Sequence, residues 1–126
     1  MNLRSDLGKV RGLGSAKEGT SHWWMQRVTA VALIPLTLWF VWSIFTLVGL
    51  DRAGFANWLN ENQNLTLLIL FVSALFYHMQ LGLQVVIEDY VHGETAKTVT
   101  LLLNLFVAVL FGLSAVIALL KIAFGG

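Results

Sequence analysis

Three long apolar runs, separated by short polar segments, organise the chain. Val28 to Leu50 is 23 residues without a charge, Leu65 to Ile87 is a second run of 23, and the third goes from Val99 to about Phe124. At 1.5 Å per residue such a run makes a helix of about 34 Å, enough to cross a hydrocarbon core of about 30 Å with some tilt. The pattern predicts an all-α membrane protein with three transmembrane helices, at about 28–50, 65–88 and 99–124, preceded by a tail at 1–27. That tail carries Arg4, Lys9, Arg11, Lys17 and Arg27 against Asp6 and Glu18, and its four glycines weigh against a stable helix, so most of it is expected to be extended or irregular. Pro35 falls in the first run, where a kink is expected. Trp23 and Trp24 precede that run as interface anchors. In the connector 51–64, Phe55 and Trp58 predict a short helix lying on the membrane surface.

Composition agrees with the pattern. Hydrophobic residues make up 57% of the chain and charged residues 12%, against roughly 25% charged in soluble domains. Cysteine is absent, which excludes disulfides, thiolate metal sites, iron–sulfur ligation and a cysteine nucleophile. A net charge of +1 gives no basis for nucleic-acid binding. The basic residues read instead as topology signals. With three spans, the N-terminal tail and the second connector share a side and hold six Lys/Arg, while the first connector and the C-terminal end hold Arg52 and Lys121. The positive-inside rule then places the N-terminus in the cytoplasm or mitochondrial matrix.

One titratable residue lies deep in a span. His78 precedes Asp89 by 11 residues, a depth of about 16 Å and an angular offset of about 20° after three full turns. If Asp89 marks the cytoplasmic edge, His78 is near the bilayer centre on the same helix face. Gly82, one turn on, leaves space on that face for a flat cofactor or another backbone. An imidazole in hydrocarbon needs a partner, and three roles compete: interhelical hydrogen bonding, proton relay, or axial ligation of haem. In the haem case no second ligand is at hand. His22 and His92 are expected at the cytoplasmic edge, Met25 is near it, and Met79 points away from the His78 face. The second ligand would then come from another polypeptide. Arg27, at the cytoplasmic start of the first span, could pair with a haem propionate or a lipid headgroup, or serve as a positive-inside anchor.

Tyr90 and Asp89 end the second span, with His92 just beyond. Either they are ordinary interfacial residues, or they belong to a quinone pocket. There Tyr90 would donate a hydrogen bond to a quinone carbonyl, and Asp89 would orient Tyr90 or pass on a proton.

The stretch His78-Met-Gln-Leu-Gly82-Leu-Gln84-Val-Val-Ile-Glu-Asp89-Tyr90-Val-His92-Gly93 resembles the hydrophobic membrane anchor of succinate dehydrogenase, respiratory complex II. His22-Trp23-Trp24-Met25-Gln26-Arg27-Val28-Thr29-Ala30 is similar to that family's entry to its first helix, an arginine followed by Thr-Ala. The resemblance implies a helix bundle completed by a second anchor protein, the cytochrome b subunit. It also implies that His78 is one axial ligand of haem b, the other coming from that cytochrome b subunit, with Arg27 near the propionates and Tyr90, assisted by Asp89, bonding ubiquinone. The chain would dock the iron–sulfur subunit together with the flavoprotein subunit, which oxidises succinate, and would not be catalytic alone. Its implied home is the bacterial inner membrane, with the mitochondrial inner membrane second. Other readings are a fumarate reductase anchor, a non-redox membrane scaffold or assembly protein, and a small transporter, for which the polar track of His78, Gln80, Gln84 and Asn104 is thin.

Overall fold

A computed structural model describes residues 17–125, and the expectations for the tail at 1–16 lie outside them. The described residues form four helices: α1 (Lys17–Leu47), α2 (Arg52–Leu59), α3 (Asn64–Tyr90) and α4 (Glu94–Ala123). Three of them, over Thr20–Leu47, Asn64–Tyr90 and Glu94–Ala123, are long and apolar enough to cross a membrane.

Within the tail expected to be mostly extended or irregular, residues 17–27 are helical. The first helix begins at Lys17, not at Val28. The charges and Gly19 mark a hydropathy boundary at Val28 and not a helix boundary: one glycine inside a helix costs about 1 kcal/mol, which a helix of 31 residues carries. The helix runs through Pro35. It closes at Gly49, whose φ of 87° is a left-handed value suited to glycine.

The short helix expected in the connector 51–64 is present as α2. Its N-cap Asp51 accepts a hydrogen bond from the Gly54 backbone N–H at 2.8 Å. Asn60, at its end, donates from Nδ2 to the Ala123 carbonyl at 2.8 Å, tying α2 to the C-terminus of α4. Trp58 stacks between Phe55 and Trp39, at centroid distances of 6.0 and 5.9 Å. Trp58, Leu59, Leu68, Phe71 and Ala123 make the buried cluster, with Phe40 stacked on Phe71 at 4.8 Å.

α3 is the central element and packs on both α1 and α4. Gly112 of α4 sits against the Phe76 ring of α3, and Asn104 Nδ2 donates to the Gln80 carbonyl at 3.0 Å. Most large apolar side chains of the three long helices remain exposed, among them Trp42, Phe45, Leu83 and Phe106. A surface of this kind requires lipid or protein against it.

Candidate functional site

His78 lies in the second half of α3, half-buried and facing α1. Its Nδ1 is 2.9 Å from the Thr29 hydroxyl, which belongs to a residue only 6% exposed. The same hydroxyl reaches the Met25 carbonyl at 2.7 Å and the Gln26 carbonyl at 3.2 Å. A hydroxyl carries one proton and two lone pairs. Two backbone carbonyls, which can only accept, compete for that proton one turn back along α1, the usual resting place of a helical threonine. Toward His78 the oxygen is left to accept, so Nδ1–H donates. A neutral imidazole has one N–H, and Nε2 therefore keeps a free lone pair. Nε2 makes no hydrogen bond among the described residues.

Helix α3 is continuous from His78 through Tyr90, so the three-turn separation of His78 from Asp89, about 16 Å, holds. Asp89 and Tyr90 are both exposed at the end of α3, and neither makes a hydrogen bond among the described residues. Tyr90 is 76% exposed. They are not joined to one another in the structure.

Arg27 is placed differently from the expectation. It is inside α1, not at its start, and precedes Thr29 by two residues, so its backbone is within about 3 Å of the depth at which α1 meets His78. Helical side chains lean toward the N-terminus. The Arg27 guanidinium accordingly lies over Trp23, one turn back, at 5.1 Å from the ring centroid, a cation–π contact that carries charge toward the helix start.

The space expected beside Gly82 is partly filled. A Cβ there would meet Gln26 Nε2 of α1 at 3.8 Å. His22, Gln26 and Thr29 thus repeat at helical spacing along α1, and the latter two face α3. His22 Nε2 and Gln26 Oε1 are buried without hydrogen-bond partners. Sequence reasoning left Thr29 and Gln26 without a role of their own. The available signal was three polar residues at intervals of four and three leading into an apolar run.

A groove of about 500 Å³ lies between α3 and α4, lined by Ser73, Tyr77, Gln80 and Gly112 among others. By helical angle its α3 side is turned away from His78. Among the described residues there is no group of three or more His, Cys, Asp or Glu able to hold a metal ion.

Residues 1–118 match the family model described as succinate dehydrogenase/fumarate reductase transmembrane subunit. A succinate dehydrogenase hydrophobic membrane anchor subunit of Rickettsia bellii is 36% identical over 108 residues, covering 83% of this chain and 85% of the relative. The corresponding protein of Paracoccus denitrificans is 33% identical over 109 residues, covering 86% and 81%. A succinate dehydrogenase membrane anchor subunit of Reclinomonas americana is 32% identical over 96 residues, covering 74% and 80%. No solved structure matches.

Proposed function

Because this chain belongs to the succinate dehydrogenase/fumarate reductase transmembrane subunit family, we propose that it is the anchor of a succinate:ubiquinone oxidoreductase supplying one axial histidine of haem b, His78, and part of the ubiquinone site. The observation that carries the ligand assignment is the bond between Thr29 and His78 Nδ1. It commits one ring nitrogen and leaves the other with the lone pair a metal needs, the arrangement typical of metal-bound histidine. His22, with about 10 Å of α1 between it and Thr29, is too far along the helix to reach the same iron. The second ligand falls to the cytochrome b subunit, and the bundle is completed across the membrane-facing surface that this chain leaves open.

When bound, haem supplies a one-electron carrier between the iron–sulfur subunit and quinone. The chain's own residues do the rest. His78 holds the metal position inside the bilayer, and Thr29 holds His78. Arg27, at nearly the same depth, offers a cation to a propionate. Its snorkelling geometry over Trp23 suits an anion placed on the N-terminal side of His78. Tyr90, unencumbered at the membrane edge, donates its hydroxyl to a quinone carbonyl. Asp89 beside it orients that hydroxyl or passes a proton from water. No nucleophile is called for, because no bond is hydrolysed.

The N-terminal side is the cytoplasmic or matrix side in this reading. Taking Arg27 out of the count, because it is inside α1, leaves Arg4, Lys9, Arg11, Lys17 and Lys97 against Arg52 and Lys121, so the sign of the positive-inside rule is unchanged. That face receives the iron–sulfur and flavoprotein subunits, in a bacterial inner membrane.

The test is the reduced-minus-oxidised optical spectrum of the purified complex. A b-type band that is lost or displaced in His78→Ala supports the ligand role. An identical spectrum in that variant removes His78 from the iron and leaves a membrane anchor whose histidine only joins α1 to α3.

A further inference from the structure

We infer that Thr29 is a positioning residue of the haem site: its hydroxyl fixes the tautomer and ring plane of His78 and strengthens Nε2 as a donor. The inference rests on His78 being a ligand, and adds a residue on a second helix that sets how it ligates.

Three features of the geometry carry it. The Thr29 oxygen is pinned from behind, since its proton is drawn to the Met25 carbonyl at 2.7 Å with the Gln26 carbonyl at 3.2 Å. A helical threonine has two χ1 rotamers open to it, and the contacts with the Met25 and Gln26 carbonyls select one, so the lone pair presented to His78 is fixed in direction as well as in chemistry. The bond also crosses between helices, with a partner 49 residues away at 2.9 Å, in a place where Thr29 is shielded from competing donors. A proton shared from Nδ1–H toward an oxygen raises the basicity of the opposite nitrogen. A more basic axial nitrogen favours ferric over ferrous iron. The chain Met25 carbonyl, Thr29 hydroxyl and His78 imidazole is therefore a built device of this anchor and owes nothing to a partner protein.

The experiment uses the intact complex, with Thr29→Val and Thr29→Ser compared with wild type. Valine keeps the branched shape and removes the oxygen; serine keeps the oxygen. The readouts are haem retained per flavin, the haem midpoint potential and the low-spin electron paramagnetic resonance g values. Thr29→Val is expected to show a positive shift in potential, altered g values and a fall in haem affinity of about 10- to 100-fold. Thr29→Ser is expected to restore all three. If Thr29→Val keeps the wild-type potential and g values, Thr29 does not position the ligand. If Thr29→Val prevents assembly, Thr29→Ala, which also removes the oxygen, decides: shifted g values and potential there support the role, and wild-type values overturn it. The ligand role and the positioning role fail separately. An unchanged spectrum in His78→Ala refutes the ligand assignment, whereas a lost band there with an unperturbed Thr29→Val haem refutes only the positioning role.

Discussion

Tyr90→Phe tests the quinone site with little risk of confusion with folding. The Tyr90 side chain is 76% exposed at the last position of α3, and its hydroxyl bonds to nothing among the described residues. Removing the oxygen therefore orphans no buried partner, and the stability change is expected within about 0.5 kcal/mol. A neutral hydrogen bond from the hydroxyl to a quinone carbonyl contributes about 0.5–1.5 kcal/mol. Lost from the transition state for quinone reduction, that is roughly a 2- to 13-fold fall in kcat/KM for quinone.

The assay pairs two acceptors on one preparation. Succinate oxidation is followed with a short-chain ubiquinone, then with an artificial dye that takes electrons from the soluble subunits. The first rate is expected to fall by that factor while the second stays at wild type. Equal loss of both rates would point to defective assembly, and an unchanged quinone rate would take Tyr90 out of the pocket. Asp89→Asn refines the point. Since Asp89 and Tyr90 are not bonded to each other in the structure, coupling between the two substitutions is expected in quinone reduction and not in the stability of the complex.

Other outcomes follow from the packing. Leu59, 1% exposed, anchors α2, and Leu59→Ala is expected to cost about 2–5 kcal/mol, seen as a lower thermal midpoint of the complex; an unchanged midpoint contradicts the placement of α2. A Cβ on Gly112 would meet Phe76 at 3.4 Å, an ordinary contact, so Gly112→Ala is expected to assemble normally in blue native gels and Gly112→Phe to separate α3 from α4 and reduce assembly. Asn104→Leu removes the bond to the Gln80 carbonyl, and the loss is expected near 0.6 kcal/mol, roughly the average for interhelical hydrogen bonds in membranes, measured by denaturant titration in detergent; a loss several times larger would mean that Asn104 has a second partner in the complex.

Hydrophobic run length was enough to place the three spans, because a membrane makes backbone satisfaction depend on helix formation and length alone. The short helix α2 was legible from Phe55 and Trp58, three residues apart in a polar segment, but not its packing: Trp58 is 7% exposed and belongs to the buried cluster. Two more things were not legible. The start of α1 was hidden because charges and Gly19 mark a hydropathy boundary at Val28, while the helix itself continues back to Lys17 through polar residues whose hydropathy does not report backbone conformation. The role of Thr29 was hidden because a threonine in an apolar run is normally a hydroxyl bonded back to its own helix, which Thr29 also does; its second bond depends on a partner 49 residues away. Gly82 falls between the two cases. Spacing put it on the His78 face, but the group that meets it, Gln26, comes from another helix.

The distribution of packing bears on the proposal that this chain is half of a site. Its buried cluster gathers at the α2 end, around Trp58, Leu59, Leu68, Phe71 and Ala123. At the His78 end the described residues bury little beyond Thr29 and Leu81, and His22 and Gln26 each keep a buried atom without a hydrogen bond. Unsatisfied polar atoms in a low-dielectric interior are costly. Apolar side chains left exposed on α1, α3 and α4 gain nothing from one another. The α2 end can therefore hold the three helices together as a unit, while the His78 end reaches its full stability only against further groups. A donor–acceptor surface of this kind, with one nitrogen of His78 already committed and the other free, is suited to a ligand that brings its own hydrogen-bonding and coordinating groups and to a second protein that encloses it. The division of labour follows from the two ends: one folds the anchor, and the other completes itself by assembly.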